Sequence, residues 1–178
     1  MHQENIKLSQ YEYYMSFAIK EAEKALQVGE FPVGCVVVQN NKIISASSRK
    51  GTTSKIGIFS EIDHAEIIAL KKIEVSNKKN DLEKSILFCT MEPCLMCFAA
   101  IILSGIKKIV YAYEDPMGGG TCCDIASLTP LYKQSKIKIV SGVLREKSLE
   151  LFKIFFKNKK KLYLENSLLE HYTIKQAE

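Results

Sequence analysis

The chain has 178 residues, 47% of them hydrophobic, with 25 Lys+Arg against 20 Asp+Glu (net charge +5) and six cysteines. That length and apolar fraction fit one compact domain with a sizeable core, and they exclude disordered, collagen-like, coiled-coil and low-complexity classes. No run approaches 18 consecutive apolar residues and the opening segment has no signal-peptide core, so a soluble cytoplasmic protein without a membrane partner is expected.

The first element reads as a helix over 10–28, with Ser9 and Glu12 as a capping box, Tyr14, Ala18, Ala22, Ala25 and Leu26 as its apolar stripe, and Gly29 as its stop. After Pro32 the β-branched run 33–38 reads as a strand. Asn40-Asn41 supplies a hairpin turn, and the return strand through Ile43-Ile44 frays into a Ser-rich loop from Ser45. A loop to Asp63 precedes a second helix that starts near His64. The stretch 76–84 reads as a polar linker and 85–90 as a buried strand. A helix follows from Pro93-Cys94 and ends before Gly105, with Pro at its start and Gly past its end. Strands are expected over 107–113 and 137–141, separated by the loop around Gly118-Gly119-Gly120. A helix from about Glu146 and a shorter helical tail from Leu164 complete the chain.

Repeated strand–helix–strand steps require parallel neighbours with right-handed crossovers, and the hairpin adds an antiparallel edge. The expected fold class is α/β: a three-layer α-β-α sandwich on a mixed sheet of about five strands. Residues 1–178 form a single domain with a basic C-terminal helical region over 146–178. Residues 133–163 carry ten Lys/Arg and two Glu, a local balance of +8, so the rest of the chain stands at −3. That stretch is either a polyanion-binding face or the solvated side of an amphipathic helix.

Six cysteines in a reducing compartment need a reason other than disulfides. His64 opens a helix as His64-Ala65-Glu66, and 30 residues later comes Glu92-Pro93-Cys94-Leu95-Met96-Cys97. One imidazole and a Cys-x-x-Cys pair are three ligands suited to zinc. At i,i+3 in a first helical turn, two thiolates can converge on one ion, and a helix N-terminus favours their anionic form. Three protein ligands leave a fourth position for water, which marks a catalytic site. A structural site would be closed by a fourth protein ligand, and His2, Cys35, Cys89, Cys122, Cys123 and His171 are the groups available for that. A thiol redox pair is the remaining reading. Glu66 reaches the same metal only if the site lies over the helix N-terminus, where it would handle protons beside bound water. Cys35 and Cys89 read as inert core residues.

These residues resemble the zinc-dependent cytidine/adenosine deaminase superfamily, whose signature is His-x-Glu followed by Pro-Cys-x-x-Cys. Within it the chain is most similar to bacterial tRNA-specific adenosine deaminases, through Phe31-Pro32-Val33-Gly34, His64-Ala65-Glu66-Ile67, Glu92-Pro93-Cys94-Leu95-Met96-Cys97, and Ser104-Gly105-Ile106 leading into Val110-Tyr111-Ala112. The resemblance implies one zinc ion per subunit held by His64, Cys94 and Cys97. It implies that Glu66 carries protons between the attacking water and a ring nitrogen, with loss of ammonia. It assigns backbone contacts with water or substrate to Ala65, Cys94 and Val33, substrate-pocket positions to Phe31, Ser48, Pro93 and Asp115, and a homodimer. Ser48 stands opposite an Asn of the adenosine deaminases, and a hydroxyl lacks the two-sided contact of an amide.

Two substrate classes follow. Adenosine in a tRNA loop, converted to inosine, needs a pocket for a splayed base and a basic surface, for which Lys153, Lys157, Lys159, Lys160 and Lys161 are the candidates. A free nucleobase, nucleoside or nucleotide of cytosine or guanine type needs no such surface. A non-enzymatic zinc-stabilised binding module is the third reading.

Overall fold

The computed structural model describes residues 2–53, 59–76, 82–158 and 163–176. Helix α1 spans His2–Val28. It starts earlier than the pattern predicts, because no Gly or Pro interrupts residues 2–9 and nothing stops the helix from propagating. Ser9 and Glu12 therefore lie inside the helix and do not cap it. Gly29, at φ 89°, ends it as expected.

Strands β1 (Gly34–Gln39) and β2 (Lys42–Ser48) form the hairpin. Asn40 and Asn41 both take positive φ, 50° and 60°, as a tight two-residue hairpin turn requires. Contrary to expectation, β2 does not fray at Ser45. Ser45 and Ser47 face inward, donating to the Ala69 carbonyl (2.9 Å) and the Ala65 carbonyl (2.6 Å) of helix α2, Ala65–Val75. Hydroxyls that find buried acceptors let a polar run complete a buried strand.

A short 3-10 turn, Leu82–Lys84, leads into β3 (Ser85–Met91). Helix α3 (Leu95–Leu103), β4 (Lys108–Tyr113), α4 (Pro130–Lys133), β5 (Lys138–Val140), α5 (Arg145–Lys157) and α6 (Leu168–Lys175) follow. The short α4 is an addition to the predicted order, although Thr129 before Pro130 is a legible helix start. Helix α6 begins four residues later than expected, because Leu164 and Asn166 adopt positive φ and reverse the chain first.

The sheet order is β2-β1-β3-β4-β5, antiparallel at the β2-β1-β3 side and parallel across β3-β4-β5. This is the expected mixed five-stranded sheet between helical layers. Alternation along β1 divides the core: Val36 and Val38 pack with Met15, Ala18 and Ala22 of α1, whereas Cys35 and Val37 pack with Ala69, Phe98 and Ile101 of α2 and α3. Helix α1 lies so close to the sheet that a Cβ on Gly34 would meet the Ala18 carbonyl oxygen at 2.1 Å. Cys35 and Cys89 are fully buried register partners, and burial pushes both thiols up, so they are unreactive core residues. No helix of the described residues is long and apolar enough to cross a membrane.

The C-terminal segment is fastened to the end of β4. Arg145 donates through Nε (2.8 Å) and Nη2 to the Glu114 carboxylate, which also accepts from the Tyr172 hydroxyl (2.7 Å) of α6. Burial alone would raise the Glu114 pKa, but the bonds from Arg145 and Tyr172 outweigh it and bring it from 4.5 down to about 2. A carboxylate depressed in the native state stabilises the fold above its unfolded pKa and stops doing so as pH falls through the native value. Thermal melts should therefore show Glu114→Gln less stable than the parent at pH 6, with the gap closing between pH 4.5 and about 2. A gap that stays constant with pH would show that the charge of Glu114 contributes nothing.

Candidate active site and metal centre

The site lies where α2 and α3 begin, beside the carboxyl ends of the parallel strands, the expected position in an open α/β sheet. His64 is the N-cap of α2 and Cys94 the N-cap of α3, both with extended backbone. The α3 cap falls one residue past Pro93, so Pro93 precedes the helix and does not open it. Cys97 sits one turn into α3 and is fully buried.

The His64 Nδ1 lies 3.6 Å from the Cys94 Sγ and 3.4 Å from the Cys97 Sγ, and the three ligand atoms fall within 4.8 Å of one another. Tetrahedral zinc with bonds of about 2.3 Å to sulfur and 2.0–2.1 Å to nitrogen separates S from N by about 3.6 Å. The donors are thus already spaced for zinc, and their softness suits it. His64, Cys94 and Cys97 form one zinc site, the only such cluster among the described residues. Of the groups considered as a fourth ligand, none joins this cluster among the described residues, and Cys122 and Cys123 are exposed.

The electrostatics of these groups follow from their crowding. The Cys97 thiol bonded to Cys94 holds the latter down to about 4, while that same bond and burial push Cys97 up. Zinc binding would require both sulfurs as thiolates. For His64, burial lowers the pKa, but the bond to Cys94 and the charge of Glu66 raise it by more. Glu66 is 3% exposed, burial raises its pKa, and its Oε2 has no hydrogen-bond partner. A buried carboxylate oxygen left without a donor is rare in a structural role.

A cavity of about 210 Å³ opens over these groups, lined among others by Phe31, Val33, Arg49, His64, Glu66, Cys94, Asp115 and Tyr163. That is below the ~300–1,000 Å³ of drug-sized sites and suits one planar heterocycle. Phe31 contributes an aromatic wall with Phe152, Phe155 and Tyr163, ring centroids 5.1–5.4 Å away. Asp115 accepts from the amides of Met117 (2.9 Å) and Gly118 (3.0 Å), folding the glycine loop into the wall. Burial raises its pKa. Glu92 holds the other end of that loop, accepting from the Asp115 amide (3.1 Å) and the Thr121 amide (3.2 Å). A Cβ on Gly120 would meet the Leu95 amide nitrogen at 2.6 Å, so the loop approaches the start of α3 only because that residue is glycine.

Two expected pocket residues, Ser48 and Pro93, do not line the cavity, and one expected backbone contact, at Val33, lacks a free amide. Ser48 pairs with Gly34 in register and so shares the sheet face that packs on α1; it does not line the cavity, and the next residue, Arg49, does. Pro93 is buried beneath the glycine loop, its carbonyl accepting from Gly120 (2.8 Å). Val33 lines the cavity, but its amide already donates to the Phe31 carbonyl (2.8 Å), which leaves no backbone donor there. Glu61, Tyr163, Leu164 and Leu169 line the cavity without having been singled out in the sequence. The clearest signal for Arg49 is its place beside Ser48, read one strand position on. Lys153 and Lys157 lie on α5, and Lys159, Lys160 and Lys161 lie outside the described residues.

Residues 8–113 match the family described as the cytidine and deoxycytidylate deaminase zinc-binding region. The chain belongs to this deaminase family. The deaminase is 35% identical over 156 residues to the tRNA-specific adenosine deaminase of Bacillus subtilis, covering 86% of this chain and 93% of that protein. A solved structure from a study of tRNA:A34 deaminases superposes with a TM-score of 0.62 at 26% identity, over 78% of this chain and 98% of that one. The diaminohydroxyphosphoribosylaminopyrimidine deaminase/reductase of Thermotoga maritima superposes with a TM-score of 0.65 at 30% identity, over 86% of this chain and 43% of that one. This deaminase is accordingly an enzyme of zinc-dependent hydrolytic type, resembling tRNA-specific adenosine deaminases, and not a zinc-stabilised binding module.

Proposed function

We propose that this enzyme deaminates adenosine in tRNA to inosine. The carrying observation is the 35% identity to the B. subtilis enzyme across 93% of its length, together with a cavity that takes one base. His64, Cys94 and Cys97 would hold the zinc, which when bound would lower the pKa of a water and supply a nucleophile near neutral pH. Glu66 takes the proton of the attacking water on its buried carboxylate and passes it to a ring nitrogen of the base. The remaining proton of the added hydroxyl then passes to the exocyclic amine, the C–N bond breaks to release ammonia and a carbonyl forms, so one water is consumed for each ammonia released. The backbone amides of Ala65 and Cys94, at the two helix starts, orient the water and the base. Phe31 and Asp115 shape the pocket, and Lys153 and Lys157 belong to a basic surface toward the RNA phosphates. Leu95 and Leu103, at the two ends of α3, are each 58% exposed, and an apolar helix face left open to solvent supports a homodimer. A tRNA substrate supports a cytoplasmic location.

The likeness to the T. maritima enzyme supports a second reading, deamination of a free nucleotide or base. Zinc-loaded protein offered tRNA transcripts and a panel of free bases, nucleosides and nucleotides separates the two. Inosine is expected in the tRNA; ammonia released only from small molecules would overturn the tRNA assignment.

A further inference from the structure

At the C-terminal side of the cavity a buried cation faces an exposed anion. The Arg49 side chain is 2% exposed and lines the same cavity as His64 and Glu66. Its Nη1 donates to the Lys50 carbonyl (3.0 Å) and its Nη2 to the Tyr163 hydroxyl (3.4 Å), whose ring it also overlies at 5.9 Å. Among the described residues, Glu61 is the one carboxylate within 4 Å of the guanidinium, at 3.6 Å, and that side chain is 76% exposed. The Tyr163 hydroxyl donates to Glu61 as well, at 3.2 Å.

This pairing is one-sided. A guanidinium removed from water loses its hydration and needs a close anion in return. A carboxylate mostly in water returns little, and 3.6 Å is longer than the ~2.7–2.9 Å of a charge-assisted bond. The Glu61 side chain can leave at small cost because solvent receives it. Arg49, braced by Lys50 and Tyr163, stays in place with its planar fork at the cavity. The group that such a fork takes best is a phosphate, bound through two parallel N–H bonds.

We infer that Arg49 is a phosphate subsite at the pocket mouth, where a phosphate of the substrate displaces the Glu61 carboxylate while Tyr163 braces the guanidinium. This rests on the substrate being a nucleotide, as the proposed function has it. The phosphate could belong to a polynucleotide backbone or to a free mononucleotide, and both present the same oxygens.

The test uses the zinc-loaded full chain and unreactive products. Affinities are measured by calorimetry, at fixed ionic strength, for inosine against inosine 5′-monophosphate and for uridine against uridine 5′-monophosphate. For whichever base binds, the phosphorylated member should bind about tenfold more tightly, the order expected of one charge-assisted contact. Arg49→Gln should reduce that advantage to less than about twofold, and Glu61→Gln should enlarge it about threefold by removing the competing anion. Equal affinity of the phosphorylated and plain nucleosides overturns the subsite, and so does binding of neither pair. Uridine binding in place of inosine removes the adenosine reading while leaving the phosphate comparison intact. Should Arg49→Gln fail to fold, Glu61→Gln carries the test, since an unchanged phosphate advantage there also overturns it. A stem-loop RNA that competes in an Arg49-dependent way identifies the polynucleotide as the source; competition by monophosphate alone identifies the free nucleotide.

Discussion

Glu66→Gln is expected to lower turnover by about 10²–10⁴-fold, the contribution typical of a positioned general acid–base group, while zinc content stays at one per chain. The amide keeps the shape of the side chain but can neither take a proton from water nor give one to a ring nitrogen. Glu66 lines the same cavity as the metal ligands without belonging to the ligand set, so metal and chemistry should separate in this variant. Stability gives a second readout. Burying a charge is costly, and Glu66 is 3% exposed with one oxygen unpartnered. The neutral variant should therefore melt at the same temperature as the parent or above it, as expected where a site is kept strained for function. Ammonia release by Glu66→Gln at the parental rate would remove the assigned role.

Cys97→Ser is expected to abolish both zinc retention and turnover. The hydroxyl does not ionise near neutral pH, which leaves His64 and Cys94 as a two-ligand remnant, and zinc prefers the softer thiolate. Because ligand that binds only the folded state stabilises it by mass action, added zinc should raise the melting temperature of the parent and leave that of Cys97→Ser unmoved. Cys122→Ser and Cys123→Ser should retain zinc, since both residues are exposed and lie outside the cluster. Zinc measured at one per chain in Cys97→Ser would mean that another residue completes the site.

The parts of this enzyme that could be read in advance are those whose geometry is local. Cys94 and Cys97 are one helical turn apart, so their spacing brings them to one place whatever the rest of the fold does; His64 and Glu66 meet only because the site lies over the start of α2, where His64 is the N-cap. The alternating and periodic apolar runs were enough to place five strands and the principal helices. Ser45 and Ser47 misled because polar residues can finish a buried strand when a neighbouring helix offers carbonyls, and that helix is some 20 residues away in the chain. Ser48 misled because strand residues alternate faces; the register of β2 against β1 turned Ser48 toward α1 and left Arg49 for the pocket.

The basic character noted at the outset is distributed less simply than the linear count implies. Lys136 and Lys138 lie with Lys84, Lys107 and Lys108 around a groove at the other ends of the parallel strands, while Lys153 and Lys157 ride on α5. One stretch of +8 thus serves two separate surfaces.

By itself, the amino-acid sequence supplied the candidate ligands His64, Cys94 and Cys97 and, through the resemblance they carry, the expected class of reaction; the convergence of Cys94 and Cys97 within one helical turn is a property of the covalent chain. Only the tertiary structure decided which residues line the cavity beside the metal site. Arg49, Glu61, Tyr163 and Leu169 come together from the loop after β2 and the C-terminal segment, and contacts between positions over 100 residues apart depend on packing that no local pattern encodes.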